Sequence, residues 1–137
     1  MNIIKSTTLA SVISATANNS GAEFTAKSLK TNKDFTYSIA RKEFNGKWYT
    51  HLYVETEYLN FQHLGTYSNG KVWKKRSEVD SLSAKAIAWI LSNVEANRTD
   101  LVDTQVQITH LGNCLRCGRT LTDAKSIEIG LGPVCRK

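Results

Sequence analysis

Two Asn-Gly dipeptides, Asn45-Gly46 and Asn69-Gly70, constrain this chain more than any other feature. Both central residues of a type I′ turn need positive φ, and Asn-Gly adopts it at low steric cost. Between alternating apolar runs, each dipeptide therefore predicts a two-residue β-hairpin. Both lie in that setting. Phe35, Tyr37 and Ile39 alternate with Thr36, Ser38 and Ala40 before the first turn. KWYTHLYVET follows it, with Trp48, Thr50, Leu52 and Val54 on one face and Tyr49, His51, Tyr53 and Glu55 on the other. YLNFQHLGTYS leads into the second turn, and KVWKKR leaves it with Val72 and Trp73 on opposite faces. The expectation is an antiparallel meander of about four strands.

One helix is expected to pack on this sheet. In residues 81–96, Ala84, Ile87, Leu91 and Val94 form an apolar stripe widened by Trp89 and Ile90, with Ser81 or Ser83 as cap and Asn97 at the end. Trp48, Leu52 and Val54 read as core. Tyr49, His51 and Tyr53 have two readings: a second buried face under the helix, which is the expectation because sheet faces are usually covered, or an open surface. Residues 99–109 alternate through Val102, Thr104, Val106 and Ile108, as a further strand or an extended connector. Near the N-terminus, Ile3 and Ile4 suit a strand. Leu9, Val12 and Ile13 make one amphipathic helical turn, capped by Ser6, Thr7 or Thr8 and ended by Asn18-Asn19-Ser20-Gly21.

All three cysteines and the only proline fall in residues 110–137, HLGNCLRCGRTLTDAKSIEIGLGPVCRK. The spacing His-x3-Cys-x2-Cys-x17-Cys is that of a metal site, and four N/S ligands suit tetrahedral structural zinc. Cys114, Cys117 and Cys135 supply three ligands. His110 is the expected fourth, with Asp123, a water or the terminal carboxylate as alternatives. Competing readings are a redox CxxC pair, which lacks its βαβ surroundings, and buried free thiols. Thr122 or Asp123 caps a short helix over DAKSIEI, and Gly130 suits its left-handed C-terminus. The fold class is thus α+β: a body over 1–109, with 1–20 its least patterned part, and a zinc-binding unit over 110–137.

The run H-x-G-x-C-x2-C-G-R-x-L-T-D-x2-S-I-x2-G-x-G-P-x-C is carried by His110, Gly112, Cys114, Cys117, Gly118, Arg119, Leu121, Thr122, Asp123, Ser126, Ile127, Gly130, Gly132, Pro133 and Cys135. It resembles the C-terminal signature of a family of unknown function found in tailed-phage and bacterial genomes, some of whose members are small stand-alone phage proteins. The YLNFQHLGTY strand and the AIAWIL helix resemble those small members more loosely. Leu131 stands where that signature more often has Ile, and Ala124 where Pro is common; neither touches a ligand position. The resemblance implies zinc and a phage-like origin, and no reaction.

Formal net charge is +6, which favours polyanionic partners. Residues 1–76 hold 11 Lys/Arg against 5 Asp/Glu, residues 77–109 hold 2 against 5, and residues 110–137 hold 5 against 2. The candidate partner-binding residues are Arg116, Arg119, Lys125 and Arg136 around the cysteines, and Lys71, Lys74, Lys75, Arg76, Tyr49 and Tyr53 on the sheet. Interleaved aromatic and basic side chains are the means by which sheets hold single-stranded nucleic acid. The expected function is a non-enzymatic, zinc-binding accessory protein that contacts nucleic acid or a nucleic-acid-handling complex. The alternative is a phage anti-defence or host-takeover protein that inhibits a host complex by direct binding. No Gly-rich phosphate loop and no His-x-Glu deaminase signature occurs, and His51 and His63 have no evident nucleophile or carboxylate partner, so no catalytic residue is expected. No apolar run approaches the roughly 20 residues of a membrane span, and Ser and Thr break up the N-terminal apolar run, so neither an anchor nor a leader is expected. Three clustered cysteines fit a reducing cytoplasm, that of the host if phage-encoded.

Overall fold

Both Asn-Gly dipeptides form the hairpins expected of them, and the meander extends further on each side. The computed structural model describes residues 2–14, 19–58 and 60–135. Its strands in chain order are β1 (Ile3–Ile4), β2 (Asn19–Ser28), β3 (Asp34–Phe44), β4 (Lys47–Glu57), β5 (Asn60–Ser68), β6 (Lys71–Lys74), β7 (Ser77–Glu78) and β8 (Val106–His110). They form one antiparallel sheet of order β1-β8-β2-β3-β4-β5-β6-β7. The helices are α1 (Thr7–Ile13), α2 (Leu82–Glu95), α3 (Thr99–Gln105) and α4 (Ala124–Ile129).

The register fixes which side chains share a face. Phe24 pairs with Tyr37, Ile39 with Leu52, Thr50 with Tyr67, and Tyr67 with Val72. All of these are buried, and α2 lays Ala84, Ile87, Leu91 and Val94 over that face. Two tyrosines tether the helix near its ends: the Tyr37 hydroxyl donates to the Ser83 carbonyl at 2.7 Å, and the Tyr67 hydroxyl donates to the Glu95 carboxylate. Ser81 caps the helix by accepting from the Ala84 amide at 3.3 Å.

Three expectations need correction. First, α2 does not cover Tyr49, His51 and Tyr53. It packs on the opposite face, where the apolar side chains of β3 and β4 coincide. The Tyr49 side carries the exposed Lys42 from β3, and burying a lysine without a partner is unfavourable. Second, residues 99–105 are helical and only 106–110 are extended. A segment this short satisfies both apolar periods, and tertiary contacts decide between them. Here Asp103 Oδ1 accepts from the Ser6 amide at 2.8 Å and the Thr99 carbonyl accepts from the Ser6 hydroxyl at 3.1 Å. Third, Trp89 lies at the helix margin with 38% of its surface exposed.

The N-terminal strand and helix form over Ile3–Ile4 and Thr7–Ile13. The expected helix stop at 18–21 lies partly outside the described residues; Asn19 already belongs to β2. The chain enters the cysteine segment from inside the sheet, because β8 is paired on both sides: Ile108 with Ile4 of β1 and with Ala26 of β2. Cys114, Leu115, Leu121 and Leu131 then join the same hydrophobic cluster as Ile4, Leu9 and Ile108. No described helix is long and apolar enough to cross a membrane.

A third two-residue hairpin joins β6 and β7, with Lys74 paired to Ser77. Its turn residues are Lys75 (φ 50°) and Arg76 (φ 67°). The Asn-Gly turns have 53° and 77°, and 53° and 78°. KVWKKR was expected to run on as one strand. Lys-Arg carries no preference for this turn, so no local residue signal marks it.

Candidate functional site

The CxxC loop follows β8 and turns back at Gly118, where φ is 79°. A short antiparallel bridge, Asn113 to Thr120, closes it. Asp123 caps α4 by accepting from the Ser126 amide at 3.0 Å, and Gly130 ends the helix in the left-handed region at φ 86°. The Gly130 carbonyl accepts from the Leu115 amide at 2.9 Å, which binds the two halves of the unit together. A Cβ at Gly130 would lie 3.2 Å from Ile4 Cγ2, so chain direction and packing both favour glycine there. Pro133 then delivers Cys135.

Cys114, Cys117 and Cys135 come together with their sulfur atoms within 4.8 Å of one another. A tetrahedral ion with metal–sulfur bonds of about 2.3 Å would set the sulfurs about 3.8 Å apart, inside that limit, so the donor set fits a thiophilic metal. The surroundings of the three thiols differ. Cys114 is buried and its Sγ accepts from the amides of Gly132 (3.3 Å), Arg116 (3.4 Å) and Cys117 (3.5 Å). Burial raises its pKa, and the three amides together with the Cys117 side chain outweigh that and bring it to about 7. Burial, followed by the neighbouring sulfurs, pushes Cys135 up to about 12. Clustered thiols resist joint ionisation, and a divalent cation removes that resistance.

His110 does not join the thiols. Its Nε2 donates to the Ile127 carbonyl at 2.6 Å, and its Nδ1 accepts from the Gly112 amide at 2.9 Å. One nitrogen carries the proton and the other spends its lone pair on an amide, so neither is free for a metal. Asp123, the alternative ligand, is turned to the Ser126 amide. Among the described residues no fourth His, Cys, Asp or Glu donor belongs to the group.

The basic residues fall into separate places. Arg116 is half-buried and donates from Nη1 to the Cys135 carbonyl at 3.1 Å, bracing the ligand loops. Arg116 and Lys125 line a depression against α1, while Lys75 and Arg76 line one on the sheet. Arg119 is exposed. Arg136 lies outside the described residues. Lys71 pairs with Glu78 at 3.1 Å, and Lys74 donates to the His63 carbonyl at 3.2 Å.

On the face opposite α2, rings follow one another. Centroid separations are 6.5 Å for Tyr49–His51, 6.2 Å for His51–His63 and 5.3 Å for Tyr53–His63. Burial, then His63 and Lys42, lowers the pKa of His51; burial, then Lys74, lowers that of His63. Trp73 and Thr66 pair beside His51, and the Thr66 hydroxyl lies 3.3 Å from His51 Nδ1. Tyr49 and Tyr53 were expected as partner-binding residues. His51 shares their face by alternation along β4, whereas Lys42, His63 and Trp73 were not expected there; the strand register that brings them crosses three hairpins.

A family model, described as a family of unknown function (DUF6011), matches residues 107–137, which cover the cysteine unit and all but the first residue of β8. No curated protein and no solved structure matches the chain.

Proposed function

We propose that this protein binds single-stranded nucleic acid on the sheet face that α2 leaves uncovered, that it acts by binding and not by catalysis, and that the cysteine unit holds a structural zinc ion. The observation that carries the reading is the run Tyr49–His51–His63–Tyr53 on that face, with Lys42, Lys75 and Arg76 at one end. Unpaired bases offer their ring faces to aromatic side chains, whereas a duplex hides them, and cations hold the phosphates. Zinc is favoured because three thiolates suit a borderline-soft ion with no redox chemistry of its own. When bound, the ion would join the loop after β8 to the Cys135 segment after α4 and so hold the unit shut.

Fluorescence anisotropy with labelled 12-mers tests this. Single-stranded DNA or RNA should bind more tightly than duplex, and affinity should fall as salt rises. Stacking on one aromatic side chain is worth about 1–3 kcal/mol per base, so Tyr49→Ala with Tyr53→Ala should weaken binding by at least about tenfold. Absence of binding to every oligonucleotide at low salt would sink the reading.

A further inference from the structure

The third hairpin is built from the wrong residues for its own backbone. Lys75 and Arg76 hold the positive φ pair that the same fold twice gives to Asn-Gly. Long side chains with a Cβ disfavour that region, and nothing in the packing asks for them: both are exposed. Lysines near a sheet edge can guard against aggregation, but Lys71 and Lys74 already stand on β6, next to the edge strand β7, without strain. A disfavoured backbone that the fold could relieve with two common residues points to a use for the side chains.

That use is indicated by what they face. Lys75 and Arg76 line a depression of about 550 Å³ with Lys42 and Glu43, and its walls include Tyr49, His51 and Trp73. It offers flat rings and three cations against one carboxylate. The far end of the face is of the opposite sign, since β4 ends in Glu55 and Glu57. We infer that the Lys75-Arg76 turn is the phosphate-holding element of this face, and that it seats one end of a single-stranded nucleic acid with a base against Tyr49 and Trp73. This inference rests on the nucleic-acid reading above.

The test uses two double variants of the full chain. Lys75→Asn with Arg76→Gly relieves the turn and removes both charges; Lys75→Gln with Arg76→Gln removes the charges and keeps the strain. Each should weaken binding of a labelled single-stranded 12-mer by about tenfold or more, and should make the slope of log affinity against log salt shallower by about 1.4, at about 0.7 per phosphate contact. The Asn-Gly variant alone should melt higher, by about 4 °C. If the wild type binds and both variants bind as well with an unchanged slope, this inference is overturned and the nucleic-acid reading stands. If the wild type binds no oligonucleotide, the reading itself fails. An Asn-Gly variant that melts no higher would remove the argument from strain and overturn the inference on that ground.

Discussion

His110 Nε2 lies 2.6 Å from the carbonyl oxygen of Ile127, so the histidine that spacing nominates as a metal ligand fastens β8 to α4 instead. With its Nδ1 on the Gly112 amide, the ring joins three segments: strand, CxxC loop and helix. His110→Ala should therefore leave metal stoichiometry unchanged. It should cost about 2–3 kcal/mol of stability, because the buried ring is lost and a half-buried amide and a half-buried carbonyl lose their partner. Metal analysis together with chemical denaturation measures both. Loss of the metal with little loss of stability would restore His110 as a ligand.

The three cysteines should not be equivalent under substitution. Cys114 alone is both buried and met by three amide donors, so Cys114→Ser removes a ligand and disturbs its cradle. Cys117 is exposed, and Cys117→Ser removes a ligand only. Both should abolish stoichiometric zinc, and Cys114→Ser should lower the melting temperature further. Chelation at neutral pH should loosen residues 111–135 first, read as faster amide exchange there than in β3 and β4, since metal binding supplies folding free energy to such units. Uniform exchange across the chain after chelation would contradict this.

What the sequence made legible follows from where its signals are local. Asn45-Gly46 and Asn69-Gly70 announce their hairpins because the turn geometry itself selects those residues. The CxxC pair announces a thiol cluster because ligand spacing is local, and Cys135 follows through the helix that Asp123 and Gly130 bound. The sequence is silent where long-range pairing decides. His110 looks like a ligand until Ile127 and Gly112 are found around its ring. Lys42 and Tyr49 become neighbours only through register. Alternation marks the Trp48, Leu52 and Val54 face as core, but it carries no sign that the Tyr49 face stays open, because that depends on where α2 packs.

Gly65 is a position where close approach leaves no room for a side chain. It pairs with Leu52 beside a break in the β4–β5 register, with φ at 155°. A Cβ there would come 2.6 Å from Val72 Cγ1 and 2.7 Å from the Trp73 carbonyl oxygen. The carbonyl belongs to the backbone of β6 and cannot rotate away. Gly65→Ala should destabilise the protein by about 2–3 kcal/mol, as overpacking does, and should weaken oligonucleotide binding by displacing Trp73. Equilibrium unfolding within about 0.5 kcal/mol of wild type, the range of an ordinary surface change, would show that the strands are not held so closely.

The histidine pair should give stability and binding opposite responses to acid. His51 faces Lys42 from β3 and His63 and Thr66 from β5, with Tyr49 and Tyr53 beside it on β4; His63 faces Lys74 from β6. Both imidazoles titrate below the ordinary value, through burial first and through these cations second. Between that ordinary value, about 6.5, and the lower folded values, the unfolded chain binds more protons than the folded one. Stability therefore falls as pH falls through this window. A bound polyanion reverses the sign, because phosphates favour the imidazolium that the lysines disfavour, so affinity for single-stranded nucleic acid should rise over the same window. His51→Gln with His63→Gln should flatten both responses. Melting curves and anisotropy at matched ionic strength between about pH 7.5 and 5.5, bracketing the ordinary value, read the two signs separately. A parallel loss of stability and affinity in the wild type would mean that acid merely unfolds the site, and that these two rings take no part in holding the ligand.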